Sequence, residues 1–142
     1  MQKSLTAIGL SLFLAGPVAA DEMAIQLHGI SYHATRDTYN ESNFGLAVRV
    51  YDTNKKYDYW TVGTYDNSEN SQSFYAGFGW EYKATNYLKL GISAGIITGY
   101  ERYNVVPYVT PVITIMDRLH LVAAPYPEPV MEISFDILHI NI

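Results

Sequence analysis

Residues 63–82 read GTYDNSENSQSFYAGFGWEY, and their pattern decides the fold. A polar turn, Asp66-Asn67-Ser68-Glu69-Asn70-Ser71, separates two runs of strand-forming residues. After the turn, Phe74, Ala76, Phe78, Trp80 and Tyr82 share one face of an extended chain. Ser73, Tyr75, Gly77, Gly79 and Glu81 share the other. Large apolar residues backed by small and polar ones give the alternation of a β-barrel wall, greasy outside and close-packed or wet inside. A loop of hydroxyls, amides and carboxylates at the rim of such a wall is a place for a site.

The same theme runs outward in both directions. Upstream, residues 24–34, 44–51 and 59–65 read as strands, with Phe44, Leu46, Val48 and Val50 opposing Gly45, Ala47 and Arg49. Downstream, Leu88, Leu90, Ile92, Ala94 and Ile96 oppose Lys89, Gly91, Ser93, Gly95 and Gly99. Residues 105–116 are apolar on both faces and carry Pro107 and Pro111. Proline cannot donate to a sheet ladder, which predicts that this strand borders a gap or lacks a full set of partners. Residues 119–124 and 130–142 complete eight strand signals, with no helical periodicity after the first twenty residues. In the last strand Ile133, Phe135 and Ile137 oppose Glu132, Ser134 and Asp136, and the apolar face then switches at His139-Ile140-Asn141-Ile142. The fold expected is all-β: an eight-stranded antiparallel up-and-down β-barrel of the outer-membrane type. Phe74, Phe78, Trp80, Leu88, Leu90 and Ile92 would form its lipid-facing belt, or else the core face of a soluble sandwich.

Residues 1–20 read as a signal peptide, with Lys3 before an apolar stretch over residues 5–16 and Val18-Ala19-Ala20 as the cleavage motif. Residues 21–142 are then a single domain, exported from a bacterium and expected in its outer membrane. There is no cysteine, so no disulfide scaffold exists. Without Lys3, eight of the nine basic residues face fourteen acidic ones, and an acidic chain with no basic stripe speaks against nucleic acid as a partner. Tyrosine is over-used, with 13 copies, and suits strands and membrane interfaces. His28, His33, His120 and His139 show no metal-ligand spacing, and His28 and His33, five apart, face opposite ways on a regular strand. No metal or other cofactor is expected, and the barrel is expected to be a monomer.

At several places the residues resemble the outer-membrane lipid A palmitoyltransferases. The likeness runs through Ile30-Ser31-Tyr32-His33, Tyr39-Asn40-Glu41 and Phe44-Gly45-Leu46. It continues through Asp66-Asn67-Ser68, Ala76-Gly77-Phe78-Gly79-Trp80-Glu81, Leu90-Gly91-Ile92-Ser93-Ala94-Gly95 and Tyr103-Asn104-Val105-Val106-Pro107. The resemblance implies transfer of a palmitoyl chain from a phospholipid donor to lipid A. His33 would be the catalytic base, assisted by Ser68 with Asp66 or Asn67, because a histidine can take a hydroxyl proton near neutral pH and nearby donors can steady an ester oxygen. Here Asn67 separates Asp66 from Ser68, where the family has Asp and Ser adjacent. The inward Ser73, Tyr75, Gly77, Gly91 and Ser93 would line a lumen able to admit an acyl chain. The residues by themselves also suit a turn at positions 66–68 and a solid barrel packed by tyrosines. The alternative function is a non-catalytic outer-membrane or periplasmic barrel with a surface, exclusion or ligand-binding role.

Overall fold

The structure, a computed structural model, describes residues 22–34, 39–52, 57–124 and 130–142. The expected signal peptide at residues 1–20 lies outside the described residues. Eight strands follow one another: β1 Glu22–His33, β2 Ser42–Tyr51, β3 Tyr59–Asp66, β4 Gln72–Lys83, β5 Leu88–Thr98, β6 Val105–Ile115, β7 Leu119–Ala124 and β8 Val130–Asn141. Each pairs antiparallel with the next, and β1 pairs with β8, so the sheet closes into an up-and-down barrel. Closure leaves no sheet edge except where a ladder is short.

The barrel is inside-out with respect to a soluble protein. Leu46, Phe78, Trp80, Ile92, Val109 and Phe135 are exposed, whereas Gln26, His28, Arg49, Thr61, His120 and Asp136 are buried. Among the described residues the buried apolar side chains are only Ala24, Ala47, Val50, Tyr59 and Val112. A sandwich would bury the belt residues in a core, and here they face outward. A continuous apolar exterior of this kind marks a surface made to meet lipid or another apolar partner.

Two bulges set which side chains reach the lumen. On β1, His28 pairs with Ser134 and Ile30 with Ile133 of β8, so Gly29 is an extra residue. It flips the parity of the strand, and both His28 and His33 point inward, at 5 % and 6 % exposure. The expectation that they face opposite ways is therefore wrong, because the strand is not regular. On β8, Ile25 pairs with Leu138 but Gln26 with Asp136, leaving Ile137 extra. That bulge is the cause of the face switch at the end of the sequence.

The β6–β7 ladder is short, running only from Val112↔Val122 to Ile115↔Leu119. Residues 105–111 of β6, with Pro107 and Pro111, pair with β5 on one side and have no ladder to β7 on the other. The prolines remove two donors from a stretch that, among the described residues, has a ladder on one side only, as their sequence positions predict.

Candidate functional site

One end of the barrel, here the loop end, carries the connections after β1, β3, β5 and β7, at residues 34–41, 67–71, 99–104 and 125–129. The other, the turn end, carries residues 52–58, 84–87 and 116–118. His33 closes β1 at the loop end, stacked on Tyr39 with ring centroids 4.8 Å apart. Its Nδ1 is buried without a hydrogen-bond partner. Just below, the Ser31 hydroxyl donates to Asn43 Oδ1, and Asn43 Nδ2 donates to the Asp66 carbonyl at 2.7 Å. The Asn40 backbone N–H donates to the Ser68 carbonyl at 2.9 Å, and Asn40 Nδ2 to the Asn67 carbonyl at 3.3 Å. Backbone and amide bonds thus draw His33 at the end of β1 and residues 66–68 at the end of β3 to one rim, with β2 between them.

Within that rim Asn67 is fully buried and fully engaged. Its Nδ2 donates to Ser73 Oγ at 3.0 Å and to the Gly99 carbonyl at 2.9 Å, and its Oδ1 accepts from the N–H groups of Glu69 and Ser71 at 2.9 and 3.0 Å. Gly99 meets it with φ +94°, and a Cβ there would come within 2.3 Å of the Gln72 carbonyl oxygen. Asn67 thus ties the β3–β4 turn to the β5–β6 loop, and no atom of its side chain is left for a substrate. Asp66 is exposed, and Ser68 is half-buried with its carbonyl held by Asn40. Asn67→Ala strands several buried groups and is expected to cost about 1–3 kcal/mol, read as a lower urea midpoint for unfolding from micelles.

The residues expected to line an acyl-chain lumen are inside the barrel, and tyrosines fill the space beside them. A Cβ on Gly77 would lie 2.2 Å from the Tyr108 hydroxyl, one on Gly63 2.7 Å from Tyr75 Cε1, and one on Gly79 2.2 Å from Tyr59 Cζ. Each of these inward glycines is a seat for a ring. At Gly91 a Cβ would meet the Trp80 carbonyl oxygen at 2.4 Å. Ser73 is fully buried against Asn67, and Ser93 donates to the Phe78 carbonyl at 3.4 Å. Tyr75 is bonded to His28. Two shallow depressions lie along the outer wall, one of about 530 Å³ over Trp60, Ala76, Phe78 and Ile96, the other of about 460 Å³ over Trp80, Leu90 and Ile92.

Two lumen clusters escape a sequence reading, because their members come from strands far apart in the chain. Toward the loop end, Glu132 of β8 contacts His28 Nδ1, and the Tyr75 hydroxyl of β4 lies 2.7 Å from His28 Nε2. Tyr65 packs on both rings, and its hydroxyl is 3.4 Å from that of Tyr100. Burial pushes the Tyr100 phenol above its ordinary range, opposed by the bond to Tyr65. Toward the turn end, Arg49 Nη1 lies 3.1 Å from His120 Nδ1 with its guanidinium over the Tyr59 ring. His120 Nε2 is 3.0 Å from Asp136 Oδ2, close enough for an ion pair but not aligned as a hydrogen bond. Thr114 donates to Glu81 at 2.7 Å, and Lys89 lies between Glu81 and Asp117. Among the described residues no group of three or more His, Asp and Glu side chains is arranged to hold a metal ion.

No protein-family model matches the chain, and no curated protein does. The likeness to the palmitoyltransferases therefore rests on the residues quoted above.

Proposed function

We propose that the chain is inserted in a bacterial outer membrane, its loop end outward, and moves an acyl chain between lipids at that end. The donor would be a phospholipid and the acceptor a lipid A hydroxyl, as in the palmitoyltransferases the sequence resembles. The inside-out wall supports the location, and longer loops on the outer side are the habit of such barrels. The observation that carries the activity is His33. It is an imidazole nine-tenths buried beneath the rim, held by Tyr39, with Nδ1 unspent. Such a group can take the acceptor's proton as the hydroxyl attacks the ester carbonyl, and return it to the departing lysolipid. Among the described residues, 105–111 of β6 have a ladder on one side only, which supports lateral access there.

The experiment is mass spectrometry of lipid A from cells expressing the protein. A palmitate-sized gain is expected, falling at least about a hundredfold with His33→Ala. No gain from a protein that folds in the outer membrane would overturn the reading, and a gain unchanged by His33→Ala would move the site elsewhere. A second reading, a non-catalytic outer-membrane barrel, is favoured by the tyrosine-filled lumen and by Asn67, whose side chain is spent on the turn.

A further inference from the structure

The lumen holds a second acid–base arrangement that the rim reading does not use. Three strands distant in sequence bring Glu132, His28 and Tyr75 into one line, with the carboxylate on Nδ1 and the phenol 2.7 Å from Nε2. An ionised carboxylate only accepts, so it fixes the proton on Nδ1 and leaves Nε2 as the acceptor for the Tyr75 O–H. A hydroxyl, an imidazole and an orienting carboxylate in series follow the general logic of an activated nucleophile. The Gly29 bulge lets both His28 and Ser31 face inward, and the pairings His28↔Ser134 and Ser31↔Glu132 place Glu132 beside them. His28 is buried, the Glu132 side chain is 23 % exposed and Tyr75 is half-buried. Tyr65 also neighbours His28, its ring centroid 5.5 Å away, with Tyr100 behind it.

The geometry points to Tyr75 as a nucleophile toward activated acyl groups, with His28 as its base and Glu132 as the positioning residue. In naming a lipid ester as the natural donor, the assignment rests on the acyl-transfer reading above. In the step, the phenol oxygen bonds to the carbonyl carbon as its proton passes to His28 Nε2. The bond to the leaving oxygen breaks, and that oxygen takes the proton from His28 if it is an alkoxide. An acyl-tyrosine remains, which an acceptor hydroxyl can cleave by the reverse sequence.

The test uses the full folded chain in detergent micelles with p-nitrophenyl acetate, and peptide mass spectrometry to locate acetyl groups. The exposed Tyr82, Tyr87 and Tyr103 serve as internal references. Tyr75 is expected to acetylate at least about a hundredfold faster than these, and His28→Gln and Glu132→Gln are expected to remove most of that advantage. A Tyr75 rate no higher than the references, or unchanged in both variants, overturns the assignment. Should either variant fail to fold, the wild-type pH profile decides. A relay gives a Tyr75 rate that levels off once its base is neutral, whereas an unassisted phenol keeps gaining about tenfold per pH unit toward pH 10. The two readings fail separately. Fast Tyr75 acetylation with no lipid A palmitate sinks the natural donor and keeps the relay, while palmitate transfer undiminished by Tyr75→Phe removes Tyr75 from that reaction.

Discussion

Gly95→Val is expected to prevent the barrel from folding, whereas Ala94→Val, one residue away, leaves it folded. The two positions are neighbours on β5 and point to opposite sides of the wall. A Cβ on Gly95 would lie 2.2 Å from the Ala76 carbonyl oxygen, 2.6 Å from Gly77 Cα and 2.8 Å from the Tyr108 hydroxyl. The first two are backbone, in the middle of the β4–β5 ladder where Gly77 pairs with Gly95, so neither can move aside without breaking the pairing. Overpacking a core costs about 1–3 kcal/mol when side chains can give way, and more when they cannot. Ala94 pairs with Phe78 and Val109 on the apolar exterior, where added methyl groups point away from the lumen. Heat-modifiable migration of the unboiled protein is the readout: lost for Gly95→Val, kept for Ala94→Val.

The second large effect concerns Arg49. This cation is 4 % exposed, lies over the Tyr59 ring and reaches His120, which in turn pairs with the fully buried Asp136. Charges in such a lumen are tolerable only together, because each alone would carry its desolvation cost without an opposite charge. Arg49→Met is therefore expected to lose about 3–5 kcal/mol in urea unfolding. Removing the opposite charge as well should recover most of it, so Arg49→Met with Asp136→Asn is expected to be more stable than Arg49→Met alone. If the double variant is the weaker one, the cluster is held by hydrogen-bond geometry rather than by charge balance.

The wall was legible in the sequence because alternation is local: Phe74 to Tyr82 and Leu88 to Ile96 declare their faces two residues at a time. Pro107 and Pro111 announced the short β6–β7 ladder for the same reason, since the missing N–H is a property of the residue itself. The lumen was far less legible. The side chain that fills the space beside Gly79 is Tyr59, from the preceding strand, and the one over Gly77 and Gly95 is Tyr108, two strands on from the first and one from the second, so a row of inward glycines could equally have meant a cavity. Single-residue bulges at Gly29 and Ile137 leave no signature beyond a broken alternation, yet they decide that His28, His33 and His139 all turn inward. The rim divides the same way. Asp66-Asn67-Ser68 reads as a turn or as a site, and only the four bonds of Asn67 show how fully its side chain belongs to the turn.

The central claim is that this wall faces lipid, and the chain's two tryptophans report on it directly. Trp60 and Trp80 belong to the outward faces of β3 and β4, and Trp80 is 45 % exposed. The most direct measurement is tryptophan fluorescence of the protein refolded into vesicles with brominated acyl chains, compared with unbrominated ones. Strong quenching of the folded protein, with no matching effect of a water-soluble quencher, is the result expected of a barrel whose belt lies in the bilayer. Fluorescence indifferent to the brominated chains but quenched from water would contradict it.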